Sequence, residues 1–382
     1  MGDVRIRRGA VTAAAAVVVA GLITAGGPAA TAGAAATCTP RIQVLGSLGA
    51  DTYERDARRS QGVMDLGAGD LAVGVSGYEP VYWTGTTVHR VPLTDPDQRG
   101  QVLAVNAHGL MVGVLDALGK TTLFTYQQGA AAITLLPESD GSDLEADVND
   151  AGFVVSRSDS WVGTVWKDGR KVRELPLPAD AGPGTRIKMV TGINRAGDIL
   201  GQAEQDHEVP ETGEHLHGTY PVLWPADGTA ARLLAPTGTG AYEESYVQDL
   251  DESTRIVGYD WQGPWHEYTP WVWTPPHTAP GATPGVLSTH PYGTFEAISA
   301  TTGVSVGTAK FHPEQPILPD QAQLWPGSGP VKALPRLAAG GASMADAVSD
   351  DGRVGGAAVN ASGGLKPVVW TCATKQAYDP GS

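Results

Sequence analysis

Five of the nine histidines in this 382-residue sequence fall in three short stretches that also carry carboxylates and aromatic rings. The first is "AEQDHEVPETGEHLHGTYP" (203–221), where His207, His215 and His217 stand among Asp206, Glu208, Glu211 and Glu214. His215 and His217 are two apart, so an extended backbone turns both to one side. With His207 or a glutamate they make a donor set suited to zinc or copper. Neither C-x-x-C nor H-E-x-x-H accompanies them. The plainer expectation is therefore a solvated acidic loop and no cofactor. The second stretch, "YDWQGPWHEYTP" (259–270), holds Trp261, Trp265, His266, Glu267 and Tyr268. Its rings could stack on a sugar or an aromatic ligand, or could instead cap the packing between two structural units. The third, "KFHPEQPILPDQ" (310–321), adds Lys310, His312 and Glu314.

Other chemical signals fail on context. "GVSVG" (303–307) matches G-x-S-x-G, but a nucleophile elbow needs a strand, a sharp turn and a helix. Ser305 instead follows a hairpin glycine, inside a strand. "DVNDAG" (147–152) lacks the later acidic ligand of a calcium loop. Carboxylates crowd "EADVND" (145–150) and "YEESYVQDLDE" (242–252), yet acid and base roles need a geometry that spacing does not supply. "GADTYERDARRSQG" (49–62) carries Arg55, Arg58 and Arg59, which could meet an anion or pair with Glu54 and Asp56. The catalytic residues are left unknown.

What must position these loops is a repeat. "GINRAGDILGQ" (192–202) returns as "AVNAHGLMVGV" from Ala104 and "DVNDAGFVVSR" from Asp147. Aligned on the closing small residue, Gly74, Gly113, Ser156, Gly201, Gly258, Gly307 and Gly356 fall in register, 39 to 57 residues apart. Seven residues earlier stands a turn opener: Gly67, Asn106, Asn149, Asn194, Asp251, Ala300 or Ser349. Three after the opener comes Asp70, Gly109, Gly152, Gly197, Thr254, Gly303 or Gly352. Asn bonds to its own turn and Gly takes positive φ without a Cβ clash, so each motif is a hairpin tip. A third strand follows with an aromatic: Trp83, Tyr126, Trp166, Trp224, Trp273, Trp325 or Trp370. A fourth ends in Leu or Val, as in "VHRVPL". No helical period persists.

Seven such units predict an all-β fold, a seven-bladed β-propeller of four-stranded blades. A lone four-stranded sheet leaves two open edges, whereas seven packed around an axis bury their faces. The predicted blades are 63–93, 102–136, 144–177, 187–235, 245–289, 294–335 and 342–372. The last lacks a fourth strand. "RIQVL" (41–45) resembles the other fourth strands, so an N-terminal strand is expected to close blade seven. The only two cysteines, Cys38 and Cys372, flank that junction and predict a disulfide. It would close a loop of about 335 residues, worth at most about 5–6 kcal/mol by chain entropy.

With the first strand innermost, second-to-third-strand loops share one face, the top. They lengthen from 9 residues between Gly74 and Trp83 to 23 between Gly201 and Trp224. The unusual stretches are the long loops of blades four to six, and loops on a rigid scaffold carry function.

Formal charge is −15, and near −17 without residues 1–36. Such a surface repels nucleic acid and anionic lipid. "MGDVRIRRG", an apolar Ala-rich run and "ATAGAAAT" read as a signal peptide cleaved after Ala36 or Ala32. The expectation is one domain, 37–382, exported, soluble, monomeric and without a membrane span.

The pattern A-x-x-I-N-x-x-G-x-(I/V)-(V/L)-G, followed by a strand ending in Trp, resembles the HAF-type extracellular repeat of secreted bacterial proteins. The match runs from 63 to 372 and is best in "VTGINRAGDILGQ…YPVLWPADG" (190–228). No unit has the literal His-Ala-Phe triplet. The resemblance implies a secreted propeller-like fold and carries no activity. The leading expectation is a module that binds an extracellular ligand or protein through the top-face loops of blades four to six. The alternative is an extracellular hydrolase or lyase, acting on polysaccharide with acidic and His residues on that face.

Overall fold

A computed structural model describes residues 38–381 apart from 50–59, 96–97, 118–119, 140, 142–144, 159, 210–213, 228–231, 234–243, 263–266 and 312–318. It contains seven antiparallel sheets, six of four strands and one of three. The inner strands, blades one to seven, are Gln61–Leu66, Arg99–Val105, Ala146–Val148, Arg186–Ile193, Glu244–Leu250, Tyr292–Ile298 and Ser343–Val348. Blade five is the three-stranded sheet. Where a fourth strand is expected, the described residues give only an isolated bridge between Val272 and Ala282. The core lies between blades: Val112, Val114 and Leu123 of blade two pack with Val148, Val154 and Trp166 of blade three.

The small residue that closes each motif answers a backbone demand. In six blades the inner strand bulges just where it passes this residue, as between Val247 and Asp249 or Phe295 and Ala297. The bulge drives a carbonyl against the neighbouring strand. A Cβ on Gly258 would collide with the Tyr246 oxygen, and one on Gly307 with that of Thr294. Blade three is the exception on both counts. It carries Ser156 at the motif position, and its inner strand pairs Ala146, Asp147 and Val148 with Ser156, Val155 and Val154 without a shift.

The turn asparagines act as expected and also reach further. The Asn106 Oδ1 accepts from the His108 and Leu110 N–H groups, both at 3.0 Å. Its Nδ2 donates to the Asn149 carbonyl, that of Asn149 to Asn194, and that of Asn194 to Asp251. The chain of bonds continues from the Glu252 N–H to Ala300 and from the Thr301 N–H to Asp350. Two turns depart from the expected spacing. In blade six Ser299, not Ala300, opens the hairpin by bonding to Val304, because this turn is one residue longer. In blade one the positive φ falls on Gly69 rather than Asp70.

The ring closes as the sequence predicts. Arg41–Val44 pairs antiparallel with Leu365–Thr371, Arg41 opposite Thr371 and Val44 opposite Val368. Cys38 and Cys372 form a disulfide with their Cα atoms 5.9 Å apart. Across the seam to blade one, the Arg353 Nη2 donates to the Gly67 carbonyl at 2.7 Å and Nη1 to Leu71 at 3.3 Å. The Trp83 Nε1 donates to Gly46 at 2.8 Å. Beyond the disulfide a short helix, Ala373–Gln376, leads the tail back to blade six, where Tyr378 bridges Ala333.

Candidate functional site

The bulges that require the motif glycines also build the axial lumen. A bulge leaves one residue of the inner strand unpaired. At the motif the skipped residues are Met64, Leu103, Thr191, Gln248, Glu296 and Asp346, and a second shift in blade four skips Lys188 higher up. All six, with Glu145 from the unbulged blade three, line one axial cavity of about 320 Å³. Each blade thus contributes a side chain to a shared space, and only glutamate occurs twice among the seven. No lysine or arginine lines it among the described residues, while six carboxylates do.

Three of these, Asp65, Asp147 and Asp249, sit one step below, on blades one, three and five. Each stands two residues before its blade's turn opener, directly after the bulge in blades one and five, and points one oxygen back to its own strand and the other across to the next blade. Asp65 accepts from the Leu66 and Val105 N–H groups at 2.7 Å each. Asp147 accepts from Val148 at 2.7 Å and Ile193 at 2.8 Å. Asp249 accepts from Leu250 at 2.7 Å and Ile298 at 2.9 Å. The matching positions of blades two, four, six and seven are Ala104, Gly192, Ala297 and Ala347. Aspartates therefore alternate with small residues and clasp blades one to two, three to four and five to six. Seven is odd, so the alternation must fail once. It fails at blade seven, where Arg353 makes the link to blade one instead.

Enclosure by the ring pushes all three carboxyls up, despite the N–H bonds that favour the charged form. Asp65 rises to about 7, by desolvation first and then the nearby Asp147 charge. Asp147 rises to about 6 by desolvation. Asp249 rises to about 8, by desolvation and then the charges of Asp147 and Asp65.

Above the lumen the inner-strand starts and second-strand ends of blades three to six carry aromatic and cationic groups. The Trp161 indole, 37% exposed, lies between the guanidinium groups of Arg157 and Arg186, at 4.4 and 4.3 Å from its ring. Arg186 and Lys188 both pair with the buried Glu204. Tyr246 stacks on Tyr259 at 5.3 Å, and Tyr259 meets the edge of Tyr268 at 5.5 Å. Lys188 lies over Tyr246 and Lys310 over Tyr268. Burial raises the hydroxyl of Tyr259 well above the ordinary tyrosine range, and of Tyr268 more modestly, with the Glu296 charge adding to both.

Of the residues singled out in the sequence, Tyr268 and Glu267 join this rim. The Glu267 carboxylate accepts from the Tyr292 hydroxyl at 3.1 Å. Trp261 is half-buried and pairs in register with Tyr268. Trp265, His266 and His312 lie outside the described residues, as do Tyr53 to Arg59. His207, His215 and His217 stand on a long two-stranded extension of blade four, Ile199–Val209 with Glu214–Trp224. The register sets His217 opposite Asp206, Leu216 opposite His207, and His215 opposite Glu208. Among the described residues no group of three His, Cys, Asp or Glu is placed to hold a metal ion. Ser305 is fully buried in a second strand opposite Trp325, so it forms no elbow. Reading loops alone missed the lumen residues and the rim groups Arg157, Trp161, Arg186, Lys188, Tyr246 and Tyr259. Their signal was position: the lumen residue stands three before a turn opener in six of the seven blades, counting Ser299 as the sixth.

The sequence matches no protein-family model and no curated protein. Solved structures share the fold. The β-propeller domain of the Trilobed protease from Pyrococcus furiosus, which has an open velcro topology, aligns with a TM-score of 0.51 at 9% identity, over 81% of this chain and 94% of that one. A puromycin-hydrolyzing peptidase of Mycobacterium tuberculosis aligns with a TM-score of 0.46 at 13% identity, over 78% of this chain and 51% of that one. The WD40 β-propeller domain of Doa1 aligns with a TM-score of 0.41 at 13% identity, over 87% and 97%. The likeness is one of fold: this chain is a seven-bladed β-propeller. Among its described residues no helix is long and apolar enough to cross a membrane.

Proposed function

We propose that this propeller is a secreted binding module of the HAF-repeat type that takes a small ligand, or a projecting part of a protein, at the top mouth of its axial channel. The observation that carries the reading is the lumen of about 320 Å³, into which all seven blades send a side chain, of six kinds, beneath a rim of tyrosines and cations. A space of this size suits a ligand-sized group, and a few convergent polar groups give specificity. The long hairpin of blade four stands on the same face and extends the surface available to a larger partner. Export is supported by the Cys38–Cys372 disulfide, a bond that persists in oxidising compartments.

The test is a fluorescence titration of the purified chain with neutral oligosaccharides, uronic-acid oligosaccharides and short peptides, repeated on Tyr268→Ala and Glu296→Gln. A saturable response that weakens at least about tenfold in either variant, with unfolding temperatures unchanged, supports the site. No saturable response to any probe, or a response as strong in both variants as in the wild type, removes it.

A hydrolase reading has one observation in its favour: Glu145, Glu296 and Asp346 converge on the same cavity. Release of reducing sugar from polysaccharide, abolished in Glu296→Gln, would move the assignment from binding to catalysis. A zinc or copper ion on the blade-four hairpin is tested by elemental analysis of the wild type against His215→Ala/His217→Ala. A stoichiometric metal lost in the variant supports that site, and no metal in the wild type ends it.

A further inference from the structure

The three clasping aspartates do a structural job that neutral groups could do without repulsion, and they do it in one enclosed space. Glu145, Glu296 and Asp346 line the same cavity above them. Below, the lumen opens among the turns, where Asp150, Glu252 and Asp350 face it with Arg195. Blades two and four add no charge to the upper cavity, and Arg353 reaches Asp65 weakly from the seam. Carboxylates so outnumber cations that ionising the whole set concentrates negative charge on the axis that the blades must share. A proton on each clasp relieves this and leaves lone pairs for both N–H donors.

We infer that Asp65, Asp147 and Asp249 act together as a proton-operated clasp: protonated, they hold the blades in pairs around the axis, and losing their protons weakens the ring. The geometry is specific to blade pairs one–two, three–four and five–six, each joined through one aspartate to the first N–H beyond the small residue of the next inner strand.

The direction follows from linkage. In the unfolded chain an aspartate ionises near pH 3.9. In the folded ring the three hold protons up to about 7, 6 and 8. The folded state thus carries extra protons between those limits. Their contribution is fully present on the acid side and is lost as pH rises through 6 to 8. Ordinary surface carboxylates are already ionised throughout this range, so they add no slope. Histidines do titrate within it, and substitution separates the two sources.

The experiment is chemical unfolding of the wild type and of the single variants Asp65→Asn, Asp147→Asn and Asp249→Asn at half-unit steps from pH 5.5 to 9. The unfolding constant of the wild type should rise at least about tenfold between pH 6 and 9, and the proton slope near pH 6 should drop by about one for Asp65→Asn and for Asp249→Asn and by about half for Asp147→Asn. The slope is read separately from absolute stability, so a variant that is merely weaker does not imitate the result. In parallel, carboxyl-carbon NMR of unsubstituted protein with labelled aspartate should show three resonances with midpoints above about pH 5.5. A flat wild-type profile, slopes unchanged by substitution, or aspartates that all titrate below pH 5 would overturn the clasp.

Discussion

Replacing Gly258 by alanine should do far more harm than its single methyl group implies. The added Cβ would lie against the Tyr246 carbonyl oxygen, with Val247 also close. Carbon and oxygen normally meet no closer than about 3.3 Å. Relief needs the inner strand of blade five to withdraw by about 1.4 Å, and that strand is fixed by its bulge and by Asp249. Overpacking of this kind costs about 2–3 kcal/mol. Ser156→Ala supplies the control. That position already carries a Cβ against an unbulged strand, so only the hydroxyl bond to Glu145 is lost, about 1 kcal/mol. Urea unfolding followed by tryptophan fluorescence reads both. The account expects Gly258→Ala to lose at least twice what Ser156→Ala loses. Equal losses, or a Gly258→Ala chain as stable as the parent, would refute the idea that the repeat's glycine exists to receive a bulge.

Other outcomes follow from the same contacts. The Trp166 Nε1 bonds to the Pro137 carbonyl at 2.9 Å, whereas the buried Trp273 Nε1 finds no partner among the described residues. Trp166→Phe should therefore cost about 1 kcal/mol more than Trp273→Phe in paired denaturation curves. Arg353→Ala removes the bonds to Gly67 and Leu71 and should lower stability by about 1.5–3 kcal/mol, more than Arg90→Ala at an exposed ion pair. Cys38→Ser should cost about 2–5 kcal/mol, and reductant should then have no further effect on the unfolding midpoint.

The ring was legible in the sequence because its signals are local. Asn106, Asn149 and Asn194 with their glycines mark hairpin tips, and an aromatic three strands in marks the buried third strand. A strand without a partner at one end and a missing strand at the other left one closure. The lumen was not legible, because a bulge changes register without changing the pattern of apolar and polar residues. Glu296 and Asp346 look like surface positions until the skipped pairing turns them to the axis. Two of the clasping aspartates, Asp147 and Asp249, sat in plain view within "EADVND" and "YEESYVQDLDE", but their partners are N–H groups 46 and 49 residues away. The reduction of blade five's fourth strand to a single bridge among the described residues, and the longer turn at Ser299, carry no composition signal either. The candidate loops are a partial case: Tyr268 and Glu267 reach the rim, while Trp265, His266 and His312 are outside the described residues.

Structure and site depend on each other through the bulge. In six blades it needs glycine on one strand and frees one residue for the lumen, and in blades one and five the residue after it is the aspartate that clasps the neighbouring blade. All of this holds only if the ring is shut by the N-terminal strand. Amide hydrogen exchange over residues 41–45 of the native, oxidised chain tests that most directly. The account predicts protection in this segment matching that of its partner, Leu365–Thr371, through bonds such as the Leu45 N–H to Pro367. Exchange at the rate of an unstructured peptide there, with 365–371 still protected, would contradict it.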